Sequence, residues 1–149
     1  MKALWTEEEA EYHGDLVSIS RSWQWPKPVQ SPHPPILVAG AGPNIIKRVV
    51  ALGNGWMPVL APEWHDSLAG KLNSLDALPD RIAEARRCEE AAGKPPTTIT
   101  AMGLPASAEY IDRLEANGVE RMVLGLPHDS PEQGFEQLNA HADAIAGYL

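Results

Sequence analysis

From residue 36 onward, short apolar runs alternate with longer amphipathic stretches. Four runs predict strands, at residues 36–39, 55–60, 97–103 and 119–126. Continuous apolar runs of this length are typical of parallel strands that are buried on both faces. Parallel strands need long crossover connections, which are usually helices. The pattern therefore predicts an α/β fold of four strand–helix units.

The stretches after these strands predict helices, because apolar residues recur there at three- and four-residue spacing. They begin near Pro43, within roughly 67–92, at Ser107 and at Ser130. The last helix carries an apolar stripe at Phe135, Leu138, Ala142, Ile145 and Leu149. A closed barrel of this type has eight units in about 250 residues. The fold class is therefore predicted as a partial (β/α)8 TIM-type barrel, with about four β/α units.

The first 35 residues have a different character. Thr6 and Glu9 match a capping box, which predicts a short helix that ends at Gly14, and residues 15–19 predict a short strand. Residues 23–35 are rich in proline and tryptophan and predict an extended linker. We treat 1–149 as a single domain, in which 1–35 form an entry helix and linker and 36–149 form the four units.

Charge and cysteine content narrow the classes of partner and compartment. The net charge is −8 and apolar residues make up 44% of the chain, which suits a globular protein and disfavours nucleic acid and anionic membranes as partners. The single cysteine, Cys88, excludes an internal disulfide and a cysteine-based zinc site. There is no visible signal peptide and no apolar run of about 20 residues, so a cytoplasmic location is expected.

The segment 35–43 is the most informative for chemistry. A buried strand runs into Gly40, Ala41 and Gly42, and Pro43 then opens a helix. Glycine lets a ligand approach the backbone, and the amides of a helix N-terminus attract phosphate. The same spacing also suits a tight turn without a ligand, and it is not a complete dinucleotide-binding or P-loop motif. Both interpretations stay open on the residues alone.

Several segments together resemble a known family. They are P-H-P-P-I-L-V-A-G-A-G-P at 32–43, A-L-G-N-G-W at 51–56, A-L-W-T-E-E-E-A-E-Y-H-G at 3–14, W-P-K-P-V-Q at 25–30, E-A-A-G-K at 90–94 and A-N-G-V-E-R-M-V-L at 116–124. In this order they are similar to the luciferase-like monooxygenase superfamily, and most similar to its branch that uses coenzyme F-420. The resemblance covers essentially the whole chain and corresponds to the second half of the family barrel.

The resemblance implies a cofactor site and a reaction. The family's glycine turn contacts the phosphate and ribityl part of the cofactor, and the end of the next strand also lines it. The residues that correspond here are Ala39, Gly40, Ala41, Gly42, Pro58 and Val59. The implied cofactor is coenzyme F-420, with FMN as the alternative, and the implied reaction is hydride transfer to or from an organic substrate. Replacing Gly40 by valine is expected to weaken cofactor binding, with a modest loss of folding.

Two departures from the family pattern matter. The family usually has aspartate where this chain has Asn54, and the first half of the barrel is missing from the chain. We therefore expect a homo-oligomer or a partner chain that completes the barrel. The alternative function is a truncated, non-catalytic relative that serves as a binding or assembly module.

The remaining candidates carry weaker signals. The five histidines, His13, His33, His65, His128 and His141, lack metal-ligand spacing, so no metal site is predicted. Cys88 is expected to be a helix-face residue, since no activating neighbour is evident. Trp56 is the best aromatic candidate for stacking on a cofactor ring. No catalytic residue is assigned.

Overall fold

The computed structural model describes residues 1–60, 71 and 74–148. These residues form two compact units, Met1–Pro35 and Ile36–Leu149. Whether the two units behave as the single domain expected from the sequence stays a prediction. Within the described residues, no helix combines the length and the apolar character that a bilayer crossing requires.

The first unit consists of a short helix and a β-hairpin. Helix α1 spans Lys2–Thr6, and Lys27 Nζ donates a hydrogen bond of 2.8 Å to the carbonyl of Leu4 near the end of that helix. Strands β1 (Ala10–His13) and β2 (Ser18–Ser22) pair antiparallel. A lysine at the last carbonyls of a helix also complements its dipole.

The helix predicted from Thr6 to Gly14 is wrong. The Thr6 hydroxyl donates to the carbonyl of Lys2 at 3.1 Å, so it belongs to the last turn of α1 and does not cap a new helix. The Gly14 amide donates to Val17 at 2.9 Å and closes the hairpin turn. The strand predicted at 15–19 is shifted to Ser18–Ser22. Residues 23–35 contain neither helix nor strand, and their role as a linker stays a prediction.

The second unit contains a four-stranded parallel sheet in the order β3-β4-β5-β6. Its strands are β3 (Leu37–Ala39), β4 (Gly55–Met57), β5 (Thr98–Met102) and β6 (Arg121–Val123). The helices are α2 (Ile45–Leu52), α3 (Leu78–Ala91), α4 (Ala108–Ala116) and α5 (Pro131–Ile145), followed by a 3-10 turn at Ala146–Tyr148. The alternation of strands and helices confirms the predicted α/β units.

Two of the predicted helix starts are confirmed by their capping bonds. The Ser107 hydroxyl accepts from the Tyr110 amide at 3.3 Å at the start of α4, and Ser130 accepts from Gln133 at 3.3 Å at the start of α5. Helix α2 begins at Ile45, after Asn44, two residues later than predicted. Of the helical region predicted at 67–92, residues 67–70, 72 and 73 lie outside the described residues, residues 74–77 form a turn, and α3 forms the later part.

The core lies between the sheet and the helices. Ile46, Val49, Trp56, Leu78 and Ala101 are each fully buried there. Two turns of α2 supply one apolar stripe, and α3 supplies the facing one. Burial of large apolar side chains contributes about 1.5–3 kcal/mol each. This packing fixes α2, and with it the turn that precedes α2.

Asn54 joins the strands at the start of the sheet. Its Oδ1 accepts from the Ile36 amide at 3.0 Å, and its own amide donates to the Ile36 carbonyl at 2.8 Å. Its carbonyl accepts from the Thr98 amide at 3.3 Å. Oδ1 acts only as an acceptor, and a carboxylate oxygen can fill the same role. The departure from the family's aspartate therefore keeps this contact.

The apolar stripe predicted on α5 is largely exposed. Phe135 is 67% exposed and Leu138 50% exposed, whereas His141 is buried on this helix. Its Nε2 lies 3.0 Å from the carbonyl oxygen of Gly125. The last stripe residue, Leu149, lies outside the described residues. Within the described residues, α5 is thus held through His141, and its apolar side faces outward.

Candidate functional site

The glycine turn between β3 and α2 lines a cleft. Strand β3 ends at the exposed Ala39, and the chain reverses through residues 40–44 before α2 begins. The cleft has a volume of about 290 Å³ and is lined by Gly40, Ala41, Gly42, Pro43, Asn44, Ile45 and Arg48. Among the described residues, the lining of the cleft comes from the turn itself and from the start of α2, which leaves the turn accessible from this side.

Donor groups in the cleft suit an anion. The amides of Ala41 and Gly42 have no hydrogen-bond acceptor among the described residues. No side chain caps the start of α2, in contrast to the serine caps of α4 and α5. The exposed Arg48 brings a guanidinium to the lining. Unpaired amides at a helix N-terminus and an arginine are the groups that bind phosphate in proteins.

The two glycines of the turn have different roles. Gly40 has φ +145°, which L side chains rarely adopt, and a Cβ there would lie 3.0 Å from Ile45 Cδ1. Gly42 has ordinary backbone geometry, and a Cβ there would meet no atom within 4 Å. Gly40 is thus required by the backbone, whereas Gly42 leaves room for a ligand. A valine at Gly40 is therefore expected to disturb the fold more than the sequence suggested.

A buried arginine holds the turn from helix α3. Arg81 Nη2 donates to the Gly42 carbonyl at 3.0 Å, and the side chain is only 9% exposed. Its Nη1 pairs with Glu84 Oε2 at 2.5 Å. Neither Arg48 nor Arg81 was singled out from the sequence. Helical spacing from the glycine turn points to Arg48, but nothing local points to Arg81.

The other predicted cofactor positions, Pro58 and Val59, follow Met57, which pairs with Ala39 on the neighbouring strand. Pro58 is fully buried, and its carbonyl accepts from the Met102 amide at 3.1 Å. Val59 is half-buried and bridges to Met102. Among the described residues, neither contributes to the lining of the glycine cleft. Their contact with a cofactor stays a prediction.

The expectation that Trp56 stacks on a cofactor ring is wrong. Trp56 is 0% exposed and packs in the core against the helices. Trp64 lies outside the described residues. Cys88 is half-buried and packs against the same core, as expected of a helix-face residue. The aromatic face of a cofactor therefore finds no partner in Trp56.

The histidines do not form a site in the described part of the chain. His13 Nδ1 lies 2.7 Å from the Ser18 hydroxyl in the hairpin, and the His33 ring lies 5.8 Å from that of Trp5. His128 is exposed, and His65 lies outside the described residues. Residues 1–60, 71 and 74–148 contain no group of three or more histidine, cysteine, aspartate or glutamate side chains that could hold a metal ion.

Glu89 is a buried carboxylate with a structural role. It accepts from the Thr97 amide at 3.0 Å and from the Thr97 hydroxyl at 2.6 Å, and Arg86 donates to it at 2.9 Å. Burial alone would raise the pKa of Glu89, but these hydrogen bonds outweigh burial and hold the pKa below its ordinary value. Glu89 thus fixes the start of β5 and does not reach the cleft.

The fold and the turn define a class of protein, and comparison with known sequences identifies it. The chain belongs to the luciferase-like monooxygenase family, whose model matches residues 1–146. It is 50% identical over 147 residues to the uncharacterized protein Rv0953c of Mycobacterium tuberculosis, covering 98% of this chain and 48% of that protein. A second uncharacterized protein of that organism, Rv0940c, is 32% identical over 127 residues, covering 84% of this chain and 39% of that protein. The chain therefore spans about half the length of the curated relatives that it matches.

Solved structures show the same fold. The monooxygenase RslO1 from Streptomyces bottropensis superposes with a TM-score of 0.54 at 23% identity, covering 97% of this chain and 41% of that one. An F420-dependent secondary alcohol dehydrogenase in complex with an F420-acetone adduct gives a TM-score of 0.58 at 15% identity. The match covers 97% of this chain and 58% of that one. The second unit is thus part of a (β/α)8 TIM-type barrel, as predicted.

Proposed function

We propose that this chain is the phosphate-holding half of a flavin- or deazaflavin-dependent oxidoreductase. The observation that carries the proposal is the cleft at the glycine turn, which is lined by Ala41, Gly42 and Arg48 among other residues. Membership of the luciferase-like monooxygenase family supports an oxidoreductase. A bound flavin or deazaflavin supplies the hydride chemistry of such enzymes.

The chain's own residues bind and orient the cofactor. A cleft of about 290 Å³ is at the small end of small-molecule sites, so it takes the phosphate end and not a complete cofactor. Two amides and one guanidinium match the oxygens of a phosphate. Ala39 and Gly40 then place the strand end beside the part of the cofactor that follows the phosphate.

Coenzyme F-420 is our first choice of cofactor, and FMN is the alternative. One solved structure with this fold is F420-dependent, which supports the first choice. The substrate would be a small organic molecule that accepts or donates a hydride. A second copy of this chain or a separate chain would supply the other half of the barrel, and the cytoplasm is the proposed location.

The test is a titration of the purified chain with coenzyme F-420 and with FMN, followed by cofactor fluorescence. Replacing Gly42 by valine puts a side chain into the cleft without a backbone clash. We expect this variant to bind at least about tenfold more weakly, with an unchanged melting temperature. Gly147→Val is the matched control, since a Cβ at Gly147 also meets open space.

The three possible outcomes separate the ideas. Binding by the wild type that is lost only in Gly42→Val supports the cleft as the site. Equal binding by Gly42→Val and the wild type would show that the cofactor binds at another site. No binding of either cofactor by the wild type contradicts the proposal for this chain and favours the alternative, a non-catalytic binding or assembly module.

A further inference from the structure

We propose that Arg81 is a positioning residue that sets the glycine turn for anion binding. The inference rests on the proposed function, because it concerns the same cleft. It assigns to α3 a role in the site, although α3 contributes no residue to the lining of the cleft among the described residues. The role would be to fix the direction of the turn's peptide groups before a ligand arrives.

The geometry of one carbonyl supports this role. The Gly42 carbonyl accepts from the Ile45 amide at 3.2 Å and from Arg81 Nη2 at 3.0 Å. A carbonyl oxygen has two lone pairs, and both are used here. The peptide group that joins Gly42 to Pro43 is therefore held from α2 and from α3 together. The neighbouring amides at Ala41 and Gly42 gain a fixed orientation from it.

The guanidinium is suited to this task in a way that other side chains are not. Its two terminal nitrogens divide between the Gly42 carbonyl and Glu84 Oε2. A planar fork can make both bonds at once, whereas a lysine ammonium is a compact point charge on a flexible stem. The ion pair with Glu84 fixes the guanidinium, and the guanidinium then fixes the turn.

Stability alone gives a poor account of Arg81. It is buried, and its Nε has no hydrogen-bond partner among the described residues. The Glu84 side chain is 38% exposed, and an ion pair with a solvent-exposed partner contributes little net stability. Its hydrogen bond to the Gly42 carbonyl gives Arg81 a role at the turn that stability alone does not explain.

The chain offers a matched control in Lys94, which lies three residues after the end of α3. Lys94 Nζ donates to the carbonyls of Val50 and Ala51, in the last turn of α2. Arg81 and Lys94 are thus both cationic side chains that donate to backbone carbonyls at or next to α2. Only Arg81 acts on the side where the cleft lies.

The experiment compares Arg81→Met, Arg81→Lys and Lys94→Met with the wild type. It measures the dissociation constants for coenzyme F-420 and FMN, thermal unfolding, and amide hydrogen exchange in the absence of cofactor. We expect Arg81→Met to bind at least about tenfold more weakly and to exchange faster at Ile45, whose amide donates to the Gly42 carbonyl that Arg81 holds. Lys94→Met should lose comparable thermal stability, exchange faster near Leu52, and bind within about twofold of the wild type. Arg81→Lys should fall between Arg81→Met and the wild type.

Failure of this inference differs from failure of the proposed function. If the wild type binds cofactor and both Arg81 variants bind equally well, Arg81 does not position the site, although the cleft still stands as the site. If the wild type binds neither cofactor, the inference is tested by hydrogen exchange alone, and unchanged exchange at the Ile45 amide in Arg81→Met overturns it. Should Arg81→Met fail to fold, Arg81→Lys carries the same comparison.

Discussion

Two arginines approach the glycine turn from different places in the sequence. Arg48 lies four positions after Asn44, about one helical turn into α2, so the helix itself brings it to the cleft. Arg81 comes 39 positions after Gly42, and only the packing of α3 against α2 brings them together. A local pattern can therefore suggest the first residue, whereas the second depends on the tertiary structure.

At the residue scale, Glu89 should make stability depend on pH. Its pKa lies below the ordinary value of 4.5 in the folded chain, so the unfolded chain binds a proton more readily. The contribution of Glu89 is therefore complete above about pH 4.5 and is lost as the pH falls below that value. We expect Glu89→Gln to lower the free energy of unfolding by about 1–3 kcal/mol at neutral pH. The stability of this variant should also depend less on pH in the acidic range.

The measurement is chemical denaturation of the wild type and variant between neutral and acidic pH. Glu90→Gln is the control, because Glu90 is the exposed neighbour on the same helix. A wild-type stability that stays level through the acidic range, or an equal loss in both variants, would contradict the role assigned to the hydrogen bonds from Thr97 and Arg86.

At the scale of elements, local chemistry explains which predictions hold. Ser107 and Ser130 start helices as expected, because a serine cap acts within four residues. Thr6 carries the same signal but belongs to the helix before it, since its hydroxyl bonds backwards to Lys2. The sequence thus predicts helices and their order well. It misses the hairpin, although the paired residues are only 5 to 12 positions apart, because the signal at Thr6 favoured a helix there. It also misses strand ends, which depend on pairing with neighbouring strands.

The spacing of the central strands depends on Gly55. A Cβ at this position would lie 2.3 Å from Leu37 Cδ2, on the neighbouring strand, and 3.1 Å from the Thr98 carbonyl oxygen, on the other one. Strand β4 therefore has no room for a side chain between β3 and β5. We expect Gly55→Ala to destabilise the fold by about 1–3 kcal/mol, measured by thermal and chemical unfolding.

The control for this prediction is another glycine with ample space. A Cβ at Gly125 would meet no atom within 4 Å, so Gly125→Ala should change stability by less than about 0.5 kcal/mol. Equal stability of Gly55→Ala and the wild type would show that the strands separate easily at this point and that the close packing of β4 is not required.

At the scale of the whole molecule, the second unit leaves apolar surface and sheet ends uncovered. Strands β3 and β6 stand at the two ends of the sheet in the described part of the chain. Val123 on β6 is 44% exposed, and Phe135 on α5 is 67% exposed. Parallel sheets are normally covered on both faces, and unpaired strand edges favour association. This surface supports the proposed second half of the barrel.

We therefore expect the isolated chain to associate in solution, with a second copy as the partner. Sedimentation should give a mass at least twice the 16.2 kDa of one chain. The double variant Phe135→Asp and Leu138→Asp should shift the protein towards the monomer, because charge on the exposed side of α5 opposes burial there. Leu16→Asp is the control, since Leu16 is 97% exposed in the other unit. A stable wild-type monomer would contradict the expectation.

The hydrogen bonds around Asn54 also affect how fast this residue deamidates. An asparagine followed by glycine loses its amide group easily in unfolded chains, when the next backbone nitrogen attacks the side-chain carbonyl carbon. Here the nitrogen of Gly55 donates to Ile36 at 3.2 Å, and the Asn54 side chain accepts from the same residue. Both reacting groups are thus hydrogen-bonded to Ile36, the residue directly before β3. Spontaneous deamidation at this pair should therefore be slow in storage and should accelerate once that strand detaches.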